Sequence, residues 1–221
     1  QGAMSKACMV ERIDTEILIV GGGPAGLATA SALPEGTSSV LVHQDREIGQ
    51  PVRTSGGCWM RDVDRLGLPA ELAHPVTCAD IYSDHEHLAL DMSSDPVGVL
   101  DVTGLYRWLA RQSKAEIRCA TKYLRTQREG GLYVSRMREG KREYEVASRV
   151  IVDASGWHSS VLKSLQLGAA PVRRGIGIEY EYPAPAHDPS RAALFFGSAV
   201  PTGYGWAFPT TSGALRLGVG L

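Results

Sequence analysis

Gly21, Gly23 and Gly26 stand within the run Gly21-Gly22-Gly23-Pro24-Ala25-Gly26, a spacing that can seat a pyrophosphate. The first glycine permits a tight turn. The second lets phosphate approach the backbone, and the third lets a helix pack closely on a strand. That chemistry needs a strand before the turn and a helix after it. Ile17 to Val20 are four consecutive apolar residues and read as a buried strand, while Leu27 to Leu33 is a small-residue apolar run that reads as a helix. The start of such a helix presents free N–H groups and the positive end of its dipole to an anion. Strand, turn and helix together predict a dinucleotide-binding loop that includes Pro24 and Ala25.

Other polar residues invite the same question. Ser38 to His43 reads as a second strand after the loop Pro34-Glu35-Gly36. It completes a βαβ unit of roughly thirty residues, which implies a parallel pair and a right-handed crossover. In dinucleotide folds an acid ends this strand and holds the ribose hydroxyls. Here the strand ends His43-Gln44-Asp45. His43 or Gln44 is therefore the candidate ribose ligand, with Asp45 in reach. The polar loop Glu47 to Cys58 follows, and loops of that length commonly carry function. Arg53 and the N–H groups around Gly56-Gly57 can serve a cofactor, or Arg53 is a solvated surface charge. Asp84-His85-Glu86-His87 offers ligating side chains but reads as a hairpin turn, because no further ligand cluster accompanies it; no metal site is predicted.

The elements that must position these groups can be read in order. Arg61 to Leu66 and Ala70 to His74 read as short helices, and Thr77 to Ser83 and Leu88 to Met92 as strands. Thr103 is placed to cap a helix running to Ser113, whose apolar stripe is Leu105, Trp108 and Leu109. Glu116 to Ala120 resembles the strand that follows such a helix. Tyr123–Arg128, Leu132–Arg138 and Arg142–Val146 alternate in polarity and are separated by glycine turns, which predicts an antiparallel meander inserted into the parallel architecture. Arg149 to Val152 returns to a parallel-type strand that ends in Asp153-Ala154-Ser155-Gly156, with a helix starting at Ser159 or Ser160. Beyond Gly168 the strands Gly175–Tyr182, Ala192–Gly197, Gly205–Phe208 and Leu215–Leu221 read as mostly antiparallel. The fold class is mixed α/β: a Rossmann-like βαβ domain with an inserted meander, plus part of a mostly antiparallel β domain. Residues 14–76 and 98–168 are assigned to the first, and 77–97 and 169–221 to the second.

Composition narrows the function. The chain has 221 residues, 43% of them hydrophobic and 21% charged, which is globular rather than disordered. A net charge of −1 without a basic run gives no case for nucleic acid. No apolar run is long enough for a membrane span. Gln1-Gly2-Ala3 ahead of Met4 reads as a tag-cleavage scar, and without a signal peptide the expected location is cytoplasmic. Cys8, Cys58, Cys78 and Cys119 lack metal-ligand spacing and read as reduced thiols.

Three stretches together carry a resemblance: Gly21-x-Gly23-Pro24-Ala25-Gly26, the segment VIVDASGWHSSVLKSL from Val150 to Leu165, and TGYGWAFPTTSGALRLGVGL from Thr202 to Leu221. The chain resembles flavoproteins of the para-hydroxybenzoate hydroxylase fold and, among them, the geranylgeranyl reductase family. The segment GQPVRTSGG sits where that family has a "G-x-P-V-R-C" loop. The resemblance implies that Gly21, Gly23 and Gly26 bind the FAD pyrophosphate and that Arg53 lies on the flavin side. It also implies that Asp153, Ala154 and Gly156 approach FAD as a second motif, and that Tyr204, Trp206 and Phe208 line a hydrophobic substrate channel. On spacing alone, a packed β core is the favoured reading of those three aromatics, since alternation puts them on one face without a ligand.

This sequence departs from the family pattern at His43, where an acid is usual, at Thr54, where a cysteine is common, and at Val102-Thr103, where an arginine opens a helix. It also stops before a third "G-D-A" flavin motif, so a missing C-terminal half or a second chain is expected to complete the FAD site. The function implied is an FAD-dependent oxidoreductase that reduces carbon–carbon double bonds of a small hydrophobic, isoprenoid-type substrate, with NAD(P)H as a candidate electron donor and peripheral membrane contact as a candidate partner. An aromatic monooxygenase or halogenase, and a flavin-binding module without turnover, are the alternatives. The resemblance assigns no catalytic proton donor; Tyr204 is conceivable, but a phenol pKa near 10 makes it a modest acid.

Overall fold

The computed structural model describes residues 11–168 and 175–221. The expected tag scar and Cys8 lie outside the described residues. In chain order the elements begin with β1 (Glu11–Val20), α1 (Pro24–Ala32), β2 (Ser39–Val42), β3 (Gly57–Trp59), α2 (Met60–Arg65), β4 (Ala73–Val76), β5 (Cys78–Tyr82), β6 (His87–Asp91) and β7 (Val97–Leu100). They continue with α3 (Val102–Gln112), β8 (Glu116–Arg118), β9 (Thr121–Glu129), β10 (Leu132–Glu139), β11 (Arg142–Asp153), α4 (Ser160–Ser164), β12 (Gly177–Pro183), β13 (Arg191–Phe195), β14 (Tyr204–Pro209) and β15 (Ala214–Gly220). The chain divides into two compact units. The first takes the described residues up to Pro51 and those from Tyr106 to Gly168, and the second takes Val52–Leu105 and residues 175–221.

The first unit is built on a six-stranded sheet of order β8-β2-β1-β11-β10-β9. β1 pairs in parallel with β2 and with β11, as a βαβ unit requires. Its last three residues, Leu18, Ile19 and Val20, are buried because both faces of this parallel centre are covered. Leu18 and Val20 join Val40, Val42, Met137, Tyr144, Val146 and Val161 on one side. Ile19 and Leu41 join Leu27 and Ala30 of α1 on the other, with Tyr106 and Leu109 packed against them.

The antiparallel meander β9-β10-β11 joins the parallel centre through β11. β11 runs unbroken from Arg142 to Asp153, antiparallel to β10 along its first half and parallel to β1 along nearly its whole length. Ser148-Arg149 looks like a break in the apolar pattern. Yet Ser148 is fully buried between Thr15 and Tyr133, where a small side chain fits.

The second unit holds a six-stranded sheet of order β12-β15-β14-β13-β5-β6 and a three-stranded sheet of order β3-β7-β4. Val76 and Val99 of the small sheet form a core with Ala192, against which Val97 and Phe208 pack. The small sheet escapes sequence reading because strands of three and four residues are too short for alternation to register. The expected helix at Ala70–His74 is a single 3-10 turn, Ala70–Leu72, after which β4 begins. Pro75 explains this, since it drives the preceding residue into the extended region. The cap of α3 is Asp101 rather than Thr103: its Oδ1 accepts the Gly104 N–H at 2.9 Å, and its carbonyl accepts the Leu105 N–H at 2.9 Å.

Candidate cofactor-binding site

In the first unit the glycine turn leaves β1 and enters α1, and each glycine has a distinct steric reason. Gly21 has φ +118°, a region that side chains rarely adopt, and a Cβ there would sit 2.2 Å from the Ala154 carbonyl oxygen. Gly26 lies in the first turn of α1, where a Cβ would sit 1.9 Å from the Gly21 carbonyl oxygen. Gly23 is the N-cap residue of α1, with an ordinary φ of −83°. A Cβ on Gly23 would meet none of the described residues within 4 Å. Packing thus explains Gly21 and Gly26 and leaves Gly23 unexplained, facing open space at the start of a nine-residue helix. Pro24 fills the first helical position, where a missing N–H costs nothing, and Pro24 and Ala25 are exposed.

The end of β11 reaches the same turn. The Ala154 N–H donates to the Val20 carbonyl at 2.9 Å, which lays Ala154 against Gly21. Gly156 has φ +65° and opens on empty space. The Asp153 carboxylate is engaged within its own segment. Oδ1 accepts the Ser155 N–H at 3.1 Å and its hydroxyl at 2.6 Å. Oδ2 accepts the N–H groups of Val161 and Leu162, each at 2.9 Å. Burial raises the cost of ionising this carboxyl, but the hydrogen bonds from Ser155, Leu162 and Val161 outweigh it and hold its pKa below the usual carboxylate range. Asp153 therefore fixes α4 onto the turn that carries Ala154 and Gly156. Ser155, which also accepts the Ser160 N–H at 2.8 Å, completes this arrangement.

His43 follows β2 directly, beside the glycine turn. Its Nδ1 accepts the Gly22 N–H at 3.2 Å, and its Nε2 faces Asp45 Oδ2 at 3.5 Å. Gln44 is exposed next to it.

In the second unit β14 places Tyr204, Trp206 and Phe208 on one face of the sheet. The Tyr204 and Trp206 rings are 5.6 Å apart, and those of Trp206 and Phe208 are 6.3 Å apart. Trp206 pairs with Gly218 of β15, and a Cβ on Gly218 would sit 2.3 Å from the indole. The indole is thus laid flat on β15, and its N–H donates to Glu179 at 3.2 Å. Arg216, only 6% exposed, lies on the same face. It donates from Nε and Nη2 to Glu181 at 3.0 and 2.6 Å, and from Nη1 to the carbonyl of Ser55. Ser55 belongs to the loop that carries Arg53. Sequence reasoning missed Arg216, Glu179, Glu181 and Gly22. A signal was present for the first, since a charged residue interrupts the apolar strand Ala214–Gly220.

Among the described residues no group of three or more His, Cys, Asp or Glu is placed to hold a metal ion. The Asp84 carboxylate of the expected hairpin turn accepts the N–H and hydroxyl of Ser198.

Comparison with known proteins follows the same line. A family model described as "FAD binding domain" matches residues 14–184. A digeranylgeranylglycerophospholipid reductase of Methanosarcina acetivorans is 28% identical over 229 residues, covering 93% of this chain and 54% of the relative. The protein of the same name from Thermoplasma acidophilum is 26% identical, covering 93% of this chain and 56% of the relative. The chain thus spans about half the length of the curated relatives it matches. A crystal structure of a geranylgeranyl bacteriochlorophyll reductase-like protein from Thermoplasma acidophilum superposes with a TM-score of 0.83 at 24% identity, covering 95% of this chain and 57% of that one. PqsL of P. aeruginosa, crystallised with 2-aminobenzoylacetate, superposes with a TM-score of 0.73 at 21% identity, covering 94% of this chain and 61% of that one. Both likenesses are likenesses of fold.

Proposed function

The chain belongs to the FAD binding domain family, and from that premise we propose that it is the cofactor-binding part of an FAD-dependent reductase that saturates carbon–carbon double bonds of an isoprenoid-type lipid. One observation carries the cofactor assignment. Gly21 and Gly26 are glycines because neighbouring backbone fills the space, whereas a Cβ on Gly23 would meet none of the described residues within 4 Å. That is the steric signature of a backbone kept bare for a ligand, and it lies at a helix N-terminus, where an anion is favoured. The residues fit a pyrophosphate.

In this reading Gly23, Ala25 and Gly26 hold the pyrophosphate through backbone N–H groups and the α1 dipole. Ala154 and Gly156 shape the wall beside it. Bound there in its reduced form, FAD would supply hydride to one alkene carbon, and a proton delivered to the adjoining carbon would complete the reduction. Arg53, on the loop tethered by Arg216, serves the flavin side. Tyr204, Trp206 and Phe208 contribute the apolar surface that orients a hydrophobic chain and excludes water from it. The lipid character of the substrate is supported by the names of the curated relatives. NAD(P)H as electron donor, peripheral membrane contact and completion of the site by further polypeptide belong to the same proposal. No helix among the described residues is long and apolar enough to cross a membrane.

The test is anaerobic incubation of the chain with FAD, dithionite and a geranylgeranyl lipid, read by mass spectrometry. The reading expects product heavier by one dihydrogen per double bond reduced. Unchanged lipid, with NADPH oxidation stimulated instead by an aromatic compound, would favour a hydroxylase.

A further inference from the structure

His43 occupies the position at the end of β2 where a dinucleotide fold expects a ribose-binding acid. It is 8% exposed. Its Nδ1 accepts the N–H of Gly22, the middle residue of the glycine turn, at 3.2 Å. A backbone N–H can only donate, so Nδ1 must carry the lone pair, and the ring proton of the neutral imidazole sits on Nε2. Nε2 faces Asp45 Oδ2 at 3.5 Å. Backbone contacts hold the residue from both sides: its N–H donates to the Arg118 carbonyl at 2.8 Å, and its own carbonyl accepts the Thr121 N–H at 2.9 Å. Gly22 is fitted to the ring. A Cβ there would lie 2.8 Å from His43 Cγ and 2.8 Å from Ile48 Cδ1. The imidazole and the glycine turn are therefore shaped to each other.

We propose that His43 is a positioning residue for the phosphate-binding turn and not a ribose ligand. Asp45 orients the ring, the ring anchors Gly22 from behind, and Gly23 is held bare beside it. Gln44 is exposed at the strand end. The glycine run then has a second reason beyond the ligand: Gly22 is needed by the histidine. The inference rests on the reading of this turn as an FAD site, but the anchoring itself does not require FAD.

The experiment compares His43→Asn, His43→Leu and His43→Glu in this chain. Asn places its amide oxygen near the position of Nδ1 and keeps the acceptor. Leu fills the space without an acceptor. Glu supplies the acid that a ribose-binding role would favour. Two readouts are taken: the FAD dissociation constant by flavin fluorescence, and the Gly22 amide proton shift in the FAD-free protein by NMR, with circular dichroism to check folding. A lost buried hydrogen bond predicts about tenfold weaker FAD binding for His43→Leu, with His43→Asn within about threefold of the parent and His43→Glu no tighter than the parent. The Gly22 amide shifts upfield in His43→Leu and keeps a bonded shift in His43→Asn. Tighter FAD binding by His43→Glu than by the parent, or a Gly22 amide unmoved by His43→Leu, overturns the proposal. If the parent binds no FAD, the cofactor reading fails, and the amide readout still decides whether His43 anchors the turn.

Discussion

At the scale of single residues, two glycines three positions apart separate folding from binding. Gly26→Ala forces a methyl against the Gly21 carbonyl, with an unrelaxed separation of 1.9 Å. It should cost about 3 kcal/mol of stability in urea denaturation. Gly23→Ala meets none of the described residues within 4 Å and has an ordinary φ. It should leave stability within about 0.5 kcal/mol of the parent while weakening FAD binding at least about tenfold. Asp153 gives a third handle. Its carboxylate is held ionised by the hydroxyl of Ser155 and three backbone N–H groups. Asp153→Asn should cost about 1–2 kcal/mol at neutral pH, allowing for partial solvent screening. The folded pKa lies below the unfolded value, so this stability is full above about pH 4 and is lost as pH falls through the folded pKa. Parent and Asp153→Asn denaturation curves should therefore converge in acid.

At the scale of elements, β15 joins the loop, the aromatic stripe and the edge strand β12. Arg216 bonds Glu181 and Ser55 at once, and Gly218 beneath Trp206 keeps that indole against Glu179. Arg216→Met removes the cation from Glu181, which is about half exposed, and the donor to the Ser55 carbonyl, and should cost about 1–2 kcal/mol. Arg216→Lys keeps the charge but not the fork of donors. Its fold should survive, with faster amide hydrogen exchange at Ser55 to Gly57 than in the parent.

None of that network is legible in sequence. Glu181 lies 35 positions and Ser55 161 positions from Arg216, and nothing local pairs them. The βαβ unit was legible because its signals are local: consecutive apolar residues, glycine spacing and a helix of small residues. Alternation likewise located β5, β6, β9, β10 and β12 to within about three residues. It failed at β11, where a buried serine mimics a break, and at β3 and β7, which are too short to alternate. The placement of Tyr204, Trp206 and Phe208 on one face follows from spacing. That Trp206 needs Gly218 follows only from the register of β14 on β15.

At the scale of the molecule, the parallel centre of the first sheet carries the glycine turn at one end of β1, and the second unit carries the Arg53 loop and the aromatic stripe. Two relatives named as digeranylgeranylglycerophospholipid reductases are 28% and 26% identical to the chain over the matched stretch, which is about half their length. The central claim is that this length of polypeptide already holds the pyrophosphate of FAD at the glycine turn, with further polypeptide completing the site around the flavin. The most direct measurement is gel filtration of the chain after incubation with FAD, read from 300 to 550 nm, for the parent and for Gly23→Ala. The account predicts flavin bands that co-elute with the parent and are absent from an equally folded Gly23→Ala. Flavin retained equally by both, or by neither, would contradict it.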